Sequence, residues 1–237
     1  MRQIDGKLVC ETLAEVVDPK RTALLVVDVQ NDYCTPDGTL ERDGGNISMT
    51  AAVVSEVSAL VDAARTHSVP VVWIQQTWLA EGASDSPAWL YMKRRNGIHQ
   101  ERCVDGTWGH SFVDGLEPEP GEPIIRKHRS SGFVGTNLDL VLRSNRVETV
   151  VVVGVMSEGC VESTARDAAF HDYYVVLTSD AMASDVLAWH EASVLTMSGR
   201  HDMLPWRTLV HLWEENQHDS DGTRRPAYET GRRVATT

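Results

Sequence analysis

The valine-rich stretch Val147–Val155 constrains this chain more than any other segment. A short continuous run of β-branched residues reads as a strand buried on both faces, and such strands belong to parallel sheets covered by helices. The run leads into Met156-Ser-Glu-Gly-Cys160, and a helix-like segment over residues 161–171 follows at once. A residue at a strand-to-helix transition lies at the carboxyl edge of a parallel sheet, where open α/β folds bind their ligands. Backbone N–H groups and the positive end of a helix dipole lower the pKa of a thiol placed there. Cys160 thus stands where a nucleophile would stand, although a buried core thiol is the commoner use of a free cysteine.

The rest of the chain repeats the strand–helix rhythm. Thr22–Val29 is a buried strand with Asp28 at its end, Asn46–Arg65 has helical periodicity, and Pro70–Gln75 is a second strand. The apolar face of that helix carries Val53, Val54, Val57, Leu60, Val61 and Ala64. Glu122–Lys127 is a short strand, and Thr136 can cap a helix over Asn137–Ser144. Beyond the valine-rich strand come the helix 161–171, a strand Tyr174–Thr178 and a helix Leu187–Ser198, with a last helix or strand–helix piece over Pro205–Glu215. Residues 79–122 carry Gly, Pro and Trp but no long periodic run, as in segments that wrap over a site. The alternation predicts an α/β fold: a Rossmann-like three-layer αβα arrangement on a mainly parallel sheet with right-handed crossovers. A single domain is expected over residues 21–216, preceded by an N-terminal arm (1–20) and followed by a polar C-terminal tail (217–237).

Composition narrows the function. A net charge of −12 argues against a nucleic-acid surface. No apolar run reaches the roughly 18 residues of a membrane span. Cys10, Cys34, Cys103 and Cys160 are far apart with no CxxC pair, which suits a reducing compartment, and no signal-peptide pattern opens the chain, so a cytoplasmic location is expected. There is no G-x-S-x-G elbow, P-loop or G-x-G-x-x-G motif.

Asp28, Lys127 and Cys160 lie at or just beyond the ends of three separate strands, hence on one rim. An unpaired buried charge costs several kcal/mol, so an Asp and a Lys brought together there neutralise each other. A nearby ammonium also favours a thiolate, and a carboxylate can carry the proton between thiol and leaving group. Singly, each has a plainer reading: Asp28 as a cap of the next turn, Lys127 as a solvated strand end.

Three blocks carry a resemblance. They are Leu24-Leu-Val-Val-Asp-Val-Gln-Asn-Asp-Tyr33, Arg126-Lys127 with Ser131-Gly-Phe133, and Gly154-Val-Met-Ser-Glu-Gly-Cys-Val-Glu-Ser-Thr-Ala-Arg-Asp-Ala168. In this order they resemble the signature of the isochorismatase-like cysteine hydrolases, over roughly residues 20–200. The resemblance implies an Asp28–Lys127–Cys160 triad and a non-proline cis peptide at Val155–Met156. It would turn the Met156 N–H to the site, where with the Cys160 N–H it forms an oxyanion hole. Ser157 keeps the hydroxyl of the Thr that the family often has there. The metal-binding, nicotinamidase-like branch carries an Asp-x-His motif after the second strand. This chain has Gln75-Gln76-Thr77-Trp78 instead, so no metal and no other cofactor is expected.

The same stretch is similar to the ureidoacrylate amidohydrolases, which carry a Gln-x-x-Trp pattern there. Gln76 and Trp78, with Phe133 and Ser157, become candidate substrate-binding residues. A Gln amide offers both donors and acceptors to a ureido group, and an indole stacks on a planar substrate, unless these tryptophans only pack the lid. The implied activity is a metal-independent cysteine amidohydrolase that cleaves a C–N bond of a small amide, ureido or carbamoyl compound through a covalent acyl-enzyme. The alternatives are an isochorismatase-type vinyl-ether hydrolase and a catalytically idle binding or assembly module. The implied assembly is a homo-oligomer, dimer or tetramer, with no nucleic-acid or membrane partner.

Overall fold

A computed structural model describes residues 1–220. Its strands are β1 (Arg2–Ile4), β2 (Lys7–Val9), β3 (Thr22–Val27), β4 (Val71–Gln76), β5 (Ile124–Lys127), β6 (Thr149–Val155), β7 (Tyr174–Ala183) and β8 (Asp202–Leu204). The helices are α1 (Leu13–Val16), α2 (Asn31–Cys34), α3 (Thr39–Arg42), α4 (Ser48–Thr66), α5 (Pro87–Arg95), α6 (Leu138–Ser144), α7 (Glu162–Phe170), α8 (Leu187–Ser198) and α9 (Trp206–Ser220). Strands β3 to β8 form one parallel sheet in the order β5-β4-β3-β6-β7-β8. The order runs outward from β3 in one direction and from β6 in the other. The β3/β6 boundary is therefore the topological switch point, the usual ligand crevice of such sheets.

Both faces of the sheet are covered. All six residues of β3 and all seven of β6 are buried. Leu24, Val26, Val151 and Val153 join the core beneath α4 and α9, whereas Ala23, Leu25, Val150 and Val152 join the core on the other face, with Leu138, Ala165 and Met197. Each fully buried Val or Leu contributes about 1.5–3 kcal/mol, which fixes the register of the central strands. On α4, Val53, Val57, Leu60, Val61 and Ala64 are buried as their spacing predicts, and Val54 lies at the edge of the stripe. Gly154 has φ 111°, and a Cβ there would stand 2.1 Å from the Val27 carbonyl oxygen. Glycine thus lets β6 approach β3 beside the switch point.

Several segments depart from the expectations. The N-terminal arm contains a hairpin, β1–β2, turned by Asp5 and Gly6, both at positive φ. An Asp-Gly pair between short apolar-containing runs is the signal for that turn. Strand β7 runs five residues past Thr178, with a register irregularity opposite Val152–Gly154. The polar Thr178-Ser179-Asp180 hides this continuation in the sequence, and Asp180 is used to accept from the Trp206 N–H at 2.8 Å. The segment 79–122 contains α5, begun by Ser86, whose hydroxyl accepts from the Trp89 N–H, and by Pro87 in the first turn. Helix α9 extends to Ser220, four residues into the expected tail; residues 221–237 lie outside the described residues. Among the described residues no helix is long and apolar enough to cross a membrane.

Candidate active site

Three strand ends supply the site. Asp28 follows β3 with φ 53°, and Lys127 ends β5. Cys160 lies in a π-turn, Ser157–Val161, between β6 and α7. In that turn the Val161 N–H reaches the Met156 carbonyl, five residues back, at 3.1 Å. Such wide turns recur at functional sites because they re-aim a side chain within a helical path. The Val155–Met156 peptide is cis.

The structure brings the three side chains together. Lys127 Nζ is 2.7 Å from Asp28 Oδ2 and 3.2 Å from Cys160 Sγ. It also donates to Gln76 Oε1 at 2.6 Å and to the Arg129 carbonyl at 3.2 Å. Asp28 and Lys127 are both essentially inaccessible to solvent. Burial works against the Lys127 ammonium, but Asp28 and Cys160 outweigh it and its pKa is raised, so the lysine stays charged. Burial also raises the Asp28 carboxyl, opposed by the Lys127 charge and by hydrogen bonding from the Cys160 thiol.

The thiol departs from expectation. Burial, joined by the Asp28 charge and opposed by Lys127, pushes Cys160 up to about 12. One ammonium does not offset desolvation plus a neighbouring carboxylate. The helix start helps little, because α7 begins only at Glu162, beyond the π-turn. The resting sulfur is therefore a neutral thiol beside a base, not a preformed thiolate.

The other candidates divide. Gln76 is buried at the end of β4; its Oε1 faces Lys127, and its Nε2 has no partner among the described residues. Because an ammonium only donates, the amide orientation is settled: the carbonyl is spent and the N–H₂ is free. Its neighbour Gln75 instead donates to the His110 carbonyl at 2.9 Å. Trp78 is 8 % exposed, and Lys93 Nζ sits 3.1 Å from its ring centroid. One face of the indole is thus covered by the Lys93 ammonium.

The structure places Phe133 and Ser157 as follows. Phe133 packs in the core, stacked on His171 at 4.9 Å and beside Tyr173, because the turn at Gly132 folds it against the end of α7. The Ser157 hydroxyl is engaged by His190 Nδ1 at 2.8 Å, from α8, and so serves the packing of the turn.

Sequence reasoning missed the buttress beneath the lid. Gln30 bridges the Gln76 backbone and the His110 carbonyl, accepting from the Gln76 N–H at 2.9 Å and donating to the two carbonyls at 3.0 and 2.8 Å. Asp32 accepts from the Thr39 N–H, the Thr39 hydroxyl and the Cys103 N–H, at 2.6–2.9 Å. Gly109 lies so close to that carboxylate that a Cβ would stand 2.2 Å from Oδ2. The Asp-Val-Gln-Asn-Asp run was the available signal: polar residues directly after a buried strand need partners. Among the described residues, no three His, Cys, Asp or Glu side chains gather so as to hold a metal ion.

A parallel α/β sheet with a carboxylate, an ammonium and a thiol joined at its switch point defines the class: a three-layer α/β hydrolase. The chain belongs to the isochorismatase family, whose domain model matches residues 22–204. It is 38% identical over 175 residues to ureidoacrylate amidohydrolase RutB of Methylobacterium radiotolerans, covering 70% of this chain and 68% of that protein. Its fold matches a cysteine hydrolase from Pseudomonas syringae pv. phaseolicola, with a TM-score of 0.73 and 27% identity over 85% of this chain and 96% of that one. It also matches N-carbamoylsarcosine amidase from Thermoplasma acidophilum, with a TM-score of 0.63 and 26% identity over 78% and 96%.

Proposed function

We propose that the protein is a cysteine amidohydrolase that cleaves the C–N bond of a small amide, ureido or carbamoyl compound without a metal. The observation that carries this reading is the placement of Lys127 Nζ against both Asp28 Oδ2 and Cys160 Sγ. Its similarity to a ureidoacrylate amidohydrolase and to an N-carbamoylsarcosine amidase supports the bond type.

The chemistry follows from the protonation states. Asp28 takes the Cys160 proton as sulfur attacks the carbonyl carbon, so thiolate forms only while it reacts. A buried carboxylate with a raised pKa is suited to accept that proton, and Lys127 stabilises the anionic charge on either partner. The backbone N–H groups of Met156 and Cys160 receive the oxyanion. Collapse of the tetrahedral adduct breaks the C–N bond, and Asp28 returns its proton to the departing nitrogen. Water then gives a proton to Asp28 and attacks the thioester. Collapse of the second adduct releases the acid and restores the thiol. The Gln76 N–H₂ is the free donor beside this path and is assigned to a substrate carbonyl.

The vinyl-ether alternative needs no covalent sulfur adduct, and an idle module needs no thiol next to a base. The test is rapid quenching during turnover of a ureido and amide panel, with intact-mass measurement and ammonia release. A transient mass increase located on Cys160, lost in a folded Cys160→Ala variant together with ammonia release, is the expected result. Full turnover by Cys160→Ala would end this reading.

A further inference from the structure

Helix α8 is turned inside out along its first half. Residues 190, 193, 194 and 197 have the spacing of a helical stripe and face the body of the protein. Ser193 and Met197 are buried, and Val194 packs against the core that contains Ala165. The stripe opens with two polar side chains, His190 and Ser193, whereas Leu187, Trp189 and Leu195 are exposed. A polar side chain turned inward needs a partner there. Both find one in the turn that carries Cys160. His190 Nδ1 is 2.8 Å from Ser157 Oγ. Ser193 Oγ donates to Glu162 Oε2 at 2.7 Å and reaches the Ser157 carbonyl at 3.1 Å.

Counting donors fixes the proton in this contact. Ser157 is wholly buried, and among the described residues its hydroxyl has no partner but His190 Nδ1. A hydroxyl carries one hydrogen, and burying it without an acceptor costs free energy. The Ser157 O–H therefore donates, Nδ1 accepts, and the His190 proton sits on Nε2. Burial lowers the His190 pKa, opposed by Glu191, which keeps the ring neutral. The turn needs such a hold. Gly159 stands in its middle although sterics do not demand a glycine, since a Cβ there would meet only Met156 Cβ at 3.7 Å. A glycine leaves backbone freedom that an outside contact must remove. The two N–H groups assigned to the oxyanion, on Met156 and Cys160, lie within three residues of Ser157, and Cys160 Sγ stands 3.2 Å from Lys127 Nζ. A displacement of roughly 1 Å at a reacting group can cost about a hundredfold in rate.

We propose that His190 is a positioning residue: by accepting the Ser157 hydroxyl it holds the turn that carries Cys160 and the oxyanion donors in place against Lys127. It touches no reacting atom and acts through Ser157. This deepens the amidohydrolase reading and rests on it for the reaction that is positioned. The competing role for His190 is packing alone, in which the ring fills the space between α8 and the turn and its hydrogen bond is incidental.

The two roles separate in a double-mutant cycle on kcat. His190→Ala is expected to lower kcat about ten- to a hundredfold and to hold KM within about twofold, because the loss lies in the turn and not in a substrate contact. His190→Asn offers an amide oxygen where Nδ1 stands and should keep kcat within about threefold of the wild type. In Ser157→Ala no hydroxyl needs an acceptor, so adding His190→Ala should cost less than about threefold. Equal losses with and without the Ser157 hydroxyl, or an Asn variant as slow as the Ala variant, make His190 a packing residue and overturn the proposal. If His190→Ala does not fold, nitrogen NMR of the histidine-labelled wild type decides, with the His190 signal found by its absence from His190→Asn. A bare Nδ1 near neutral pH is expected, and a proton on it overturns the proposal. Alkylation of Cys160 by iodoacetamide needs no turnover and is followed on the Cys160 peptide by mass spectrometry, because Cys10, Cys34 and Cys103 are also free. Its pH profile should be displaced in His190→Ala and return in His190→Asn, since the thiol then leaves and regains its place beside Lys127; an unmoved profile counts against positioning. A displaced profile with no ammonia release from any amide would remove the amidohydrolase reading and leave His190 as the residue that holds the turn.

Discussion

The Lys127 ammonium stands 3.2 Å from the Cys160 sulfur, yet burial and the Asp28 carboxylate hold that thiol neutral. Alkylation of Cys160 by iodoacetamide is therefore expected to be slow near neutral pH and to keep rising above pH 10, since the thiol is pushed up to about 12. Lys127→Ala removes the one influence that lowers the thiol pKa and slows alkylation further at every pH. It also leaves Asp28 buried without its counter-charge, a loss of about 3–5 kcal/mol in unfolding free energy. A rate plateau between pH 7 and 8 would contradict this account of the site.

Gln76 and Trp78 are expected to fail differently when truncated. Gln76→Ala removes the acceptor 2.6 Å from Lys127 Nζ, so it disturbs the triad as well as any substrate contact. Turnover should fall about ten- to a hundredfold, with Cys160 alkylation altered too. Trp78→Ala removes the ring under Lys93 and unseats the lid, which should raise KM more than it lowers kcat. Steady-state kinetics on one accepted substrate, paired with thiol labelling, separates the two.

Activity is expected to survive prolonged dialysis against a chelator. The β4 end presents Gln75, Gln76, Thr77 and Trp78, which do not make a transition-metal ligand set. Loss of turnover on chelation, restored by zinc, iron or manganese, would assign the site a metal.

Glu122 clamps the start of β5 to α4 and β4. It accepts from Arg65 Nε and Nη2 at 2.9 and 3.0 Å, from the Trp73 indole at 2.7 Å and from the Glu119 N–H at 2.9 Å. Burial raises its pKa, but these donors outweigh burial and the net shift is downward from 4.5. A carboxylate depressed in the folded state contributes stability above its unfolded pKa and loses it as pH falls through the folded value. Glu122→Gln should therefore cost about 1–2 kcal/mol at pH 7 in denaturant unfolding, with the gap closing under acid conditions. A gap that widens in acid would reverse the sign of the argument.

The sequence by itself determined the frame. Valine-rich β6, fully buried β3 and the striped helix α4 were legible because burial on two faces demands continuous apolar residues, and burial on one demands a helical stripe. Asp28, Lys127 and Cys160 were legible because polar residues at the ends of buried strands need a reason to be there. The β1–β2 hairpin and α5 were announced only by local turn and cap residues, Asp5-Gly6 and Ser86-Pro87. The polar interruption at Thr178–Asp180 concealed how far β7 runs. Tertiary structure alone decided what each side chain does with its neighbours. It turned Phe133 into the core, engaged Ser157 with His190, spent the Gln76 carbonyl on Lys127 and laid Lys93 over Trp78. It also set the protonation of Cys160, which depends on how completely water is excluded and on which charges share the cavity. Those quantities arise from contacts between residues far apart in the chain, and no local pattern encodes them.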